Sequence, residues 1–366
     1  MRKILSSVAI LAMLFSSLLA IQTALGYEIT ITSLGHLGGY NSQATGLNDL
    51  GQVVGYSFTE TPFEWHAFLW TAEGKMEDLG TLGTYSYGGT NSLGNGINNQ
   101  GQVVGWSEAP YSSAIAHAFL WTKEDGMVDL DTLGGDFSSA EKINDLGQVI
   151  GRWTTLSGEG HAFFWTKDKG MVDLGTLGGH YSQANALNNL GHVVGTTSTS
   201  QGKQRAFFWT EAEGMIDLGT LGGDWAIANA INDNGQVVGE SRTASGLSHA
   251  FLWTKEGGMI DLGTLGGNSS RPGAINRYGQ VVGASDIDPG PISNERAFLW
   301  TAERGMVDLG ILGGEYSYSL ATDINDFGQV VGMSMTASSE YHPFLWTKEG
   351  GMIDLGTLGG DILRWP

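Results

Sequence analysis

The sequence predicts an all-β repeat fold, a β-propeller of seven four-stranded blades closed by an N- or C-terminal strand. Three observations predict it. The phrase HAFLWT and its variants begin at His66, His117, His161, Arg205, His249, Arg296 and His342. Their tryptophans, Trp70, Trp121, Trp165, Trp209, Trp253, Trp300 and Trp346, follow one another at intervals of 44 to 51 residues, the length of chain that a four-stranded blade needs. Each copy also holds four short strand-like runs divided by Gly-bearing turns, and the inner runs are apolar on both faces. A linear β-solenoid is the alternative architecture.

The first element is an export signal over residues 1–26. Arg2 and Lys3 precede an apolar run from Ile4 to Ile21, and Ala24-Leu25-Gly26 supplies small residues for cleavage before Tyr27. A single repeat domain then occupies 27–366. The fourth copy shows its four strands most plainly, in Gln183–Asn188, Gly191–Gly195, Arg205–Thr210 and Gly214–Gly219. Between the first two lies Asn188-Asn-Leu-Gly191, repeated as Asn48–Gly51, Asn232–Gly235 and Asn325–Gly328. Asn side chains start such turns, and Gly accepts the left-handed conformation that closes them.

In the third strand, period-two alternation places His66, Phe68 and Trp70 on one face and Ala67, Leu69 and Thr71 on the other. Neither face is polar throughout. The paired valines Val53-Val54, Val103-Val104, Val193-Val194 and Val237-Val238 say the same of the second strand. Sheets covered on both sides are the condition of propeller blades. The fourth-strand phrase also occurs once before the first full copy, within Ile31–Gly39, which suggests a terminal strand that closes the ring.

Composition narrows the function. The chain has 366 residues and no cysteine, so packing alone must hold an exported fold together, with neither disulfides nor thiolate metal sites. Its formal charge is −20, more negative still once Arg2 and Lys3 are removed, and such a surface repels nucleic acid and anionic membranes. After the signal, no segment offers the roughly 20 apolar residues of a membrane span. A secreted monomer without a cofactor is expected.

Taken together, His-Ala-Phe-Leu-Trp-Thr, Gly-Met-x-Asp-Leu-Gly-Thr-Leu-Gly-Gly and Ile-Asn-x-x-Gly-Gln-Val-Val-Gly resemble the HAF-repeat family of extracellular repeat proteins, over Ile29 to Gly360. The resemblance implies export and the repeat itself; it carries no catalytic residues. Departures include Arg205 and Arg296 in place of His, Pro343 in place of Ala, and Asp131 in place of Gly.

Two classes of candidate site residue follow. Aromatic residues after the Leu-Gly-Gly phrase, Tyr85, Phe137, Tyr181, Trp225 and Tyr316, form either a platform for stacked sugar rings or packing under the next blade. Residues that break the repeat are the second class, because shared residues build the scaffold and function lives where copies differ. They are Tyr85 to Asn91, Glu141 and Lys142, Arg152-Trp153, Arg271-Pro272 and the longer loop from Asp286 to Glu295. The repeated histidines are read as donors to the aspartates Asp78, Asp129, Asp173, Asp217, Asp261, Asp308 and Asp354, not as metal ligands. Asn232–Gly235 is read as a turn, not a calcium loop. The expected function is a secreted binding or scaffold module for carbohydrate or an extracellular protein. The other class of reading is a glycan-active hydrolase or lyase using carboxylates such as Glu141 or Asp286.

Overall fold

The computed structural model describes residues 22–24, 27–83, 91–109, 112–290, 294–313 and 318–358. The apolar leader at 1–21, Tyr85 and Tyr316 lie outside them. The described secondary structure is all strand, and no helix among the described residues is long and apolar enough to cross a membrane. The chain divides into two compact units. Ser33–Gly202 and Phe208–Ile216 make up most of the first, and Lys203–Phe207 and Asp217–Pro366 most of the second. Apart from a hairpin of Gln22–Ala24 with Tyr27–Ile29, the described strands form seven antiparallel meanders of four, one per copy, two of which share a sheet through one parallel bridge at Gly160 and Tyr181.

The fifth copy illustrates the meander, with strands Gly222–Ile231, Val237–Thr243, Ser248–Thr254 and Gly258–Asp261. Its paired valines point opposite ways, as the strand period requires. The consequence is visible in both units. Val54 of the first copy packs with Val103 and Phe119 of the second, whereas Val104 packs with Val149 and Phe163 of the third. In the second unit Val238 meets Val281 and Phe298, and Val282 meets Val330 and Phe344. The second strands of the second and sixth copies are therefore each shared between two cores. The Gly that follows the valines is required by contact: a Cβ at Gly283 would stand 2.0 Å from the Arg271 carbonyl oxygen and 2.9 Å from the Phe298 ring.

Hydrogen bonds from side chains to the backbone also join neighbouring copies. Asn48, Asn98 and Asn144 each accept from their own turn and donate through Nδ2 to the backbone carbonyl of Asn98, Asn144 and Asn188 in the next copy, at 2.8, 3.0 and 2.9 Å. Asn232 and Asn276 do the same in the second unit, and Asn232 Oδ1 accepts from the Asn234 and Gln236 N–H groups, so Asn232–Gly235 is a side-chain-capped turn. A serine adds a second staple. Ser270 Oγ accepts the Ala250 N–H at 2.9 Å and donates to the Gly263 carbonyl at 2.6 Å; Ser92, Ser138, Ser182 and Ser319 repeat the arrangement. Pro343 has no N–H to offer such a staple. Replacing Ser270 with Ala strands a buried N–H, so Ser270→Ala is expected to cost about 1–3 kcal/mol in denaturant unfolding.

The spare N-terminal phrase takes a linker's place and adds no strand to the described sheets. Ser42 Oγ donates to Gly35 O, and the Leu37 N–H reaches Ser57 Oγ at 2.9 Å. The linker leucines Leu82, Leu221, Leu265 and Leu312 make the same bond to Ser107, Ser241, Ser285 and Ser334. Each described four-stranded meander is thus drawn from consecutive strands of its own copy.

Candidate functional site

The repeated polar pairs come first because they set the background. In five copies a His Nδ1 lies 2.7 to 3.1 Å from the Asp twelve residues later: His66, His117, His161, His249 and His342 with Asp78, Asp129, Asp173, Asp261 and Asp354. Arg205 and Arg296 take the same place opposite Asp217 and Asp308. The Asp also accepts the N–H two residues on, as at Gly263 and Asp261, so the pair pins the fourth strand to its exit turn. No group of three His, Asp or Glu among the described residues is placed to hold a metal.

Burial alone would lower the His66 pKa, but its hydrogen bond and charge pairing with Asp78, helped by Glu64, raise it above 6.5. Burial would raise Asp78, and the His66 hydrogen bond, the Gly80 N–H and the His66 charge hold it below 3.8. A raised His contributes stability fully below its unfolded pKa of 6.5 and loses it as pH climbs through the raised value. A lowered Asp contributes fully above 3.8 and loses it as pH falls through the lowered value. The pair is therefore most stabilising between those two ordinary values. Asp78→Asn is expected to move the His66 titration, followed by NMR, to lower pH; an unmoved midpoint would contradict the pairing.

The third copy departs from this background. Arg152 Cζ lies 5.0 Å above the Phe137 ring, and its Nε is 3.8 Å from Glu141 Oε1. Three residues singled out by sequence are thus brought together, and the charge of Arg152 also acts on Tyr181, whose pKa burial raises. The Tyr181 ring is 39% exposed and rests beside Gly160, where a Cβ would be 3.6 Å from it; its hydroxyl donates to Gln183 Oε1. Lys142 is exposed.

Beside this cluster stands Trp153, where the other copies carry Ser57, Ser107, Thr197, Ser241, Ser285 and Ser334. The indole fills the place of the linker's acceptor. Leu133 is 40% exposed with φ +52°, and Asp131 holds φ +72° at the glycine position. Trp153 is opposite His161 across the strands, the rings edge to face at 6.2 Å. Among the described residues, Trp153 Nε1 and His161 Nε2 are buried without a hydrogen-bond partner. His161 Nδ1 faces Asp173, and in the uncharged tautomer that carries its proton at Nδ1 the Nε2 atom is an acceptor. One buried donor and one buried acceptor on adjacent strands complement a hydroxyl group.

Other sequence candidates fall elsewhere. Trp225 is half-buried, with Nε1 donating to Gln204 Oε1 at 2.5 Å. Phe137 immediately precedes, and Tyr181 and Trp225 lie within, a first strand that runs beside the third strand of the preceding copy. In the last copy the residue in that position is Tyr318, just before Ser319, which forms the staple; two extra residues after Gly313 hide the equivalence from a count forward from Leu-Gly-Gly. Arg271 makes two hydrogen bonds to Glu295, at 2.6 and 2.7 Å, and one to Tyr318 Oη at 2.7 Å. Asp286 is buried directly across from Glu295 and accepts from Ser269 Oγ at 2.6 Å. Of the repeated tryptophans, Trp121, Trp209, Trp253 and Trp300 are buried and Trp70, Trp165 and Trp346 half-buried.

No family model and no curated protein matches the chain. Solved structures do. The β-propeller domain of the trilobed protease from Pyrococcus furiosus, described as having an open velcro topology, aligns with TM-score 0.54 and 8% identity over 87% of this chain and 99% of that domain. The fold is of β-propeller type. A puromycin hydrolase aligns with TM-score 0.51 and 13% identity over 87% of this chain, and a puromycin-hydrolyzing peptidase from Mycobacterium tuberculosis with 0.51 and 12% over 86%. The chain spans about half the length of these two enzymes, 54% and 53%. At such identities the likeness concerns fold alone.

Proposed function

We propose that this protein is an exported binding module of the HAF-repeat type, with carbohydrate as its partner at the third and fourth copies. One observation carries the reading. The buried, unpartnered Trp153 Nε1 and His161 Nε2 adjoin a cluster that offers an aromatic face, a guanidinium and a carboxylate, in Tyr181, Arg152 and Glu141. Sugars present hydroxyls that both donate and accept, and apolar ring faces that stack on aromatics. The repeat departs at this place in four residues, Asp131, Glu141, Arg152 and Trp153, while the Ser138 staple persists.

A panel of neutral and acidic oligosaccharides, with reducing-end release followed in the same wells, tests the proposal. Binding without release, weakened in Tyr181→Ala, is the expected result. Release would favour a glycan-active enzyme, and binding unaltered by the substitution would place the ligand elsewhere. The seven copies, in this reading, are seven blades of one propeller, which particle images with sevenfold pseudo-symmetry would support.

A further inference from the structure

The second compact unit contains a cavity of about 280 Å³ between the fifth and sixth copies. Its lining combines an apolar floor with a polar rim. Leu252 and Trp300, both buried and members of one core cluster, form the floor. Gln236, Gln280, Tyr278 and Glu303 line the rest. Antiparallel alternation puts the turns at Asn276–Gln280 and Thr301–Gly305 at one end of the sixth sheet, whereas Arg271, Glu295 and Tyr318 lie at the other.

The two glutamines decide what the cavity can hold. Gln236 Oε1 accepts from Asn232 Nδ2, and Gln280 Oε1 from Asn276 Nδ2, both at 2.7 Å. With those carbonyls engaged, each side chain has its Nε2 protons left to give. Gly279, at φ +74°, keeps this space open, since a Cβ there would stand 3.1 Å from Gln236 Nε2. Tyr278 is 68% exposed, with Arg277 Cζ 5.7 Å from its ring centroid. The site thus offers amide donors, one carboxylate acceptor at Glu303 and an apolar surface. A Lys or Arg side chain has no acceptor for the amides. An anion meets Glu303 and a chain of charge −20. A neutral sugar satisfies all three: hydroxyl or acetamido oxygens accept from the amides, a hydroxyl donates to Glu303, and the C–H face lies on the floor. The volume is just below the roughly 300–1,000 Å³ of drug-sized ligand sites, which suits one ring and not a chain.

We propose that this cavity binds a single neutral pyranose ring. It shares no residue with the site in the third and fourth copies and stands whether or not that site binds glycan. The test uses the full chain from Tyr27, with glucose, N-acetylglucosamine and glucuronic acid titrated separately while the glutamine side-chain amides are followed by NMR. One of the neutral sugars should shift the Gln236 and Gln280 amides, and glucuronic acid should not. Gln236→Glu keeps the acceptor for Asn232 but replaces the donor, and should weaken binding by about tenfold or more. Tyr278→Ala, an exposed position, should weaken it severalfold without disturbing the fold. Tyr181→Ala should leave it unchanged, which separates this cavity from the other site. Absence of shifts with both neutral sugars, stronger binding of glucuronic acid, or equal binding in Gln236→Glu and Tyr278→Ala would overturn the assignment.

Discussion

Phe298→Ala is expected to lower the stability of the second unit by about 3–5 kcal/mol. The ring is fully buried and packs with Val238, Ala250, Leu252, Leu262, Val281 and Trp300. Its cost is large because the space cannot collapse: Gly283 already sits beneath the ring with no side chain to fill the gap, and the interlocked sheets restrict relaxation. Phe327 provides the internal comparison, being 70% exposed in a turn, and Phe327→Ala should change stability by less than about 0.5 kcal/mol. Chemical denaturation monitored by intrinsic fluorescence reads both. Equal midpoints for the two variants would contradict the packing described.

Trp153→Phe is expected to weaken glycan binding by about tenfold or more while changing stability by less than about 1.5 kcal/mol. The substitution keeps an aromatic ring against Val149, Phe163 and Met171 in the core that holds Trp153. What it removes is the Nε1–H, a buried donor without a partner within the described protein, so a purely structural role predicts little loss or even a gain in stability. A binding role predicts lost affinity from the same atom. The two readings separate on one variant.

Much of the fold was legible because each copy restates the same local physics. Valine pairs, the alternating His-Phe-Trp face and Asn-x-x-Gly turns require only neighbours within about ten residues, and the structure places them as the alternation implies. The His–Asp pairs were legible for the same reason, since residues twelve apart meet across one hairpin. The serine staples were not. Ser270 has no local signature, and its partner Ala250 lies on a strand of the preceding copy. The closing strand expected from the spare phrase is not among the described strands, because a phrase repeated eight times can be a linker as readily as a strand.

The candidate site was legible in its parts. Glu141 and Arg152 stood out as departures and Phe137 as one of the recurring aromatics, and the structure joins them. Tyr318 was missed because two inserted residues displaced it from the count, although the following Ser319 marks its register. The meaning of Trp153 needed the structure: substitution of a small hydroxyl residue by indole is visible in sequence, but the orphaned pairing with His161 appears only when the strands are laid side by side. The cavity at Gln236 and Gln280 was illegible because its walls come from two copies.

The most direct test of the account is a binding titration of the chain from Tyr27 with the oligosaccharide that gives the strongest signal in the panel, run beside Trp153→Phe and Tyr181→Ala. The account predicts a saturable isotherm for the parent chain and about tenfold or greater weakening in both variants, each with its unfolding transition retained. Identical isotherms for all three proteins would contradict it.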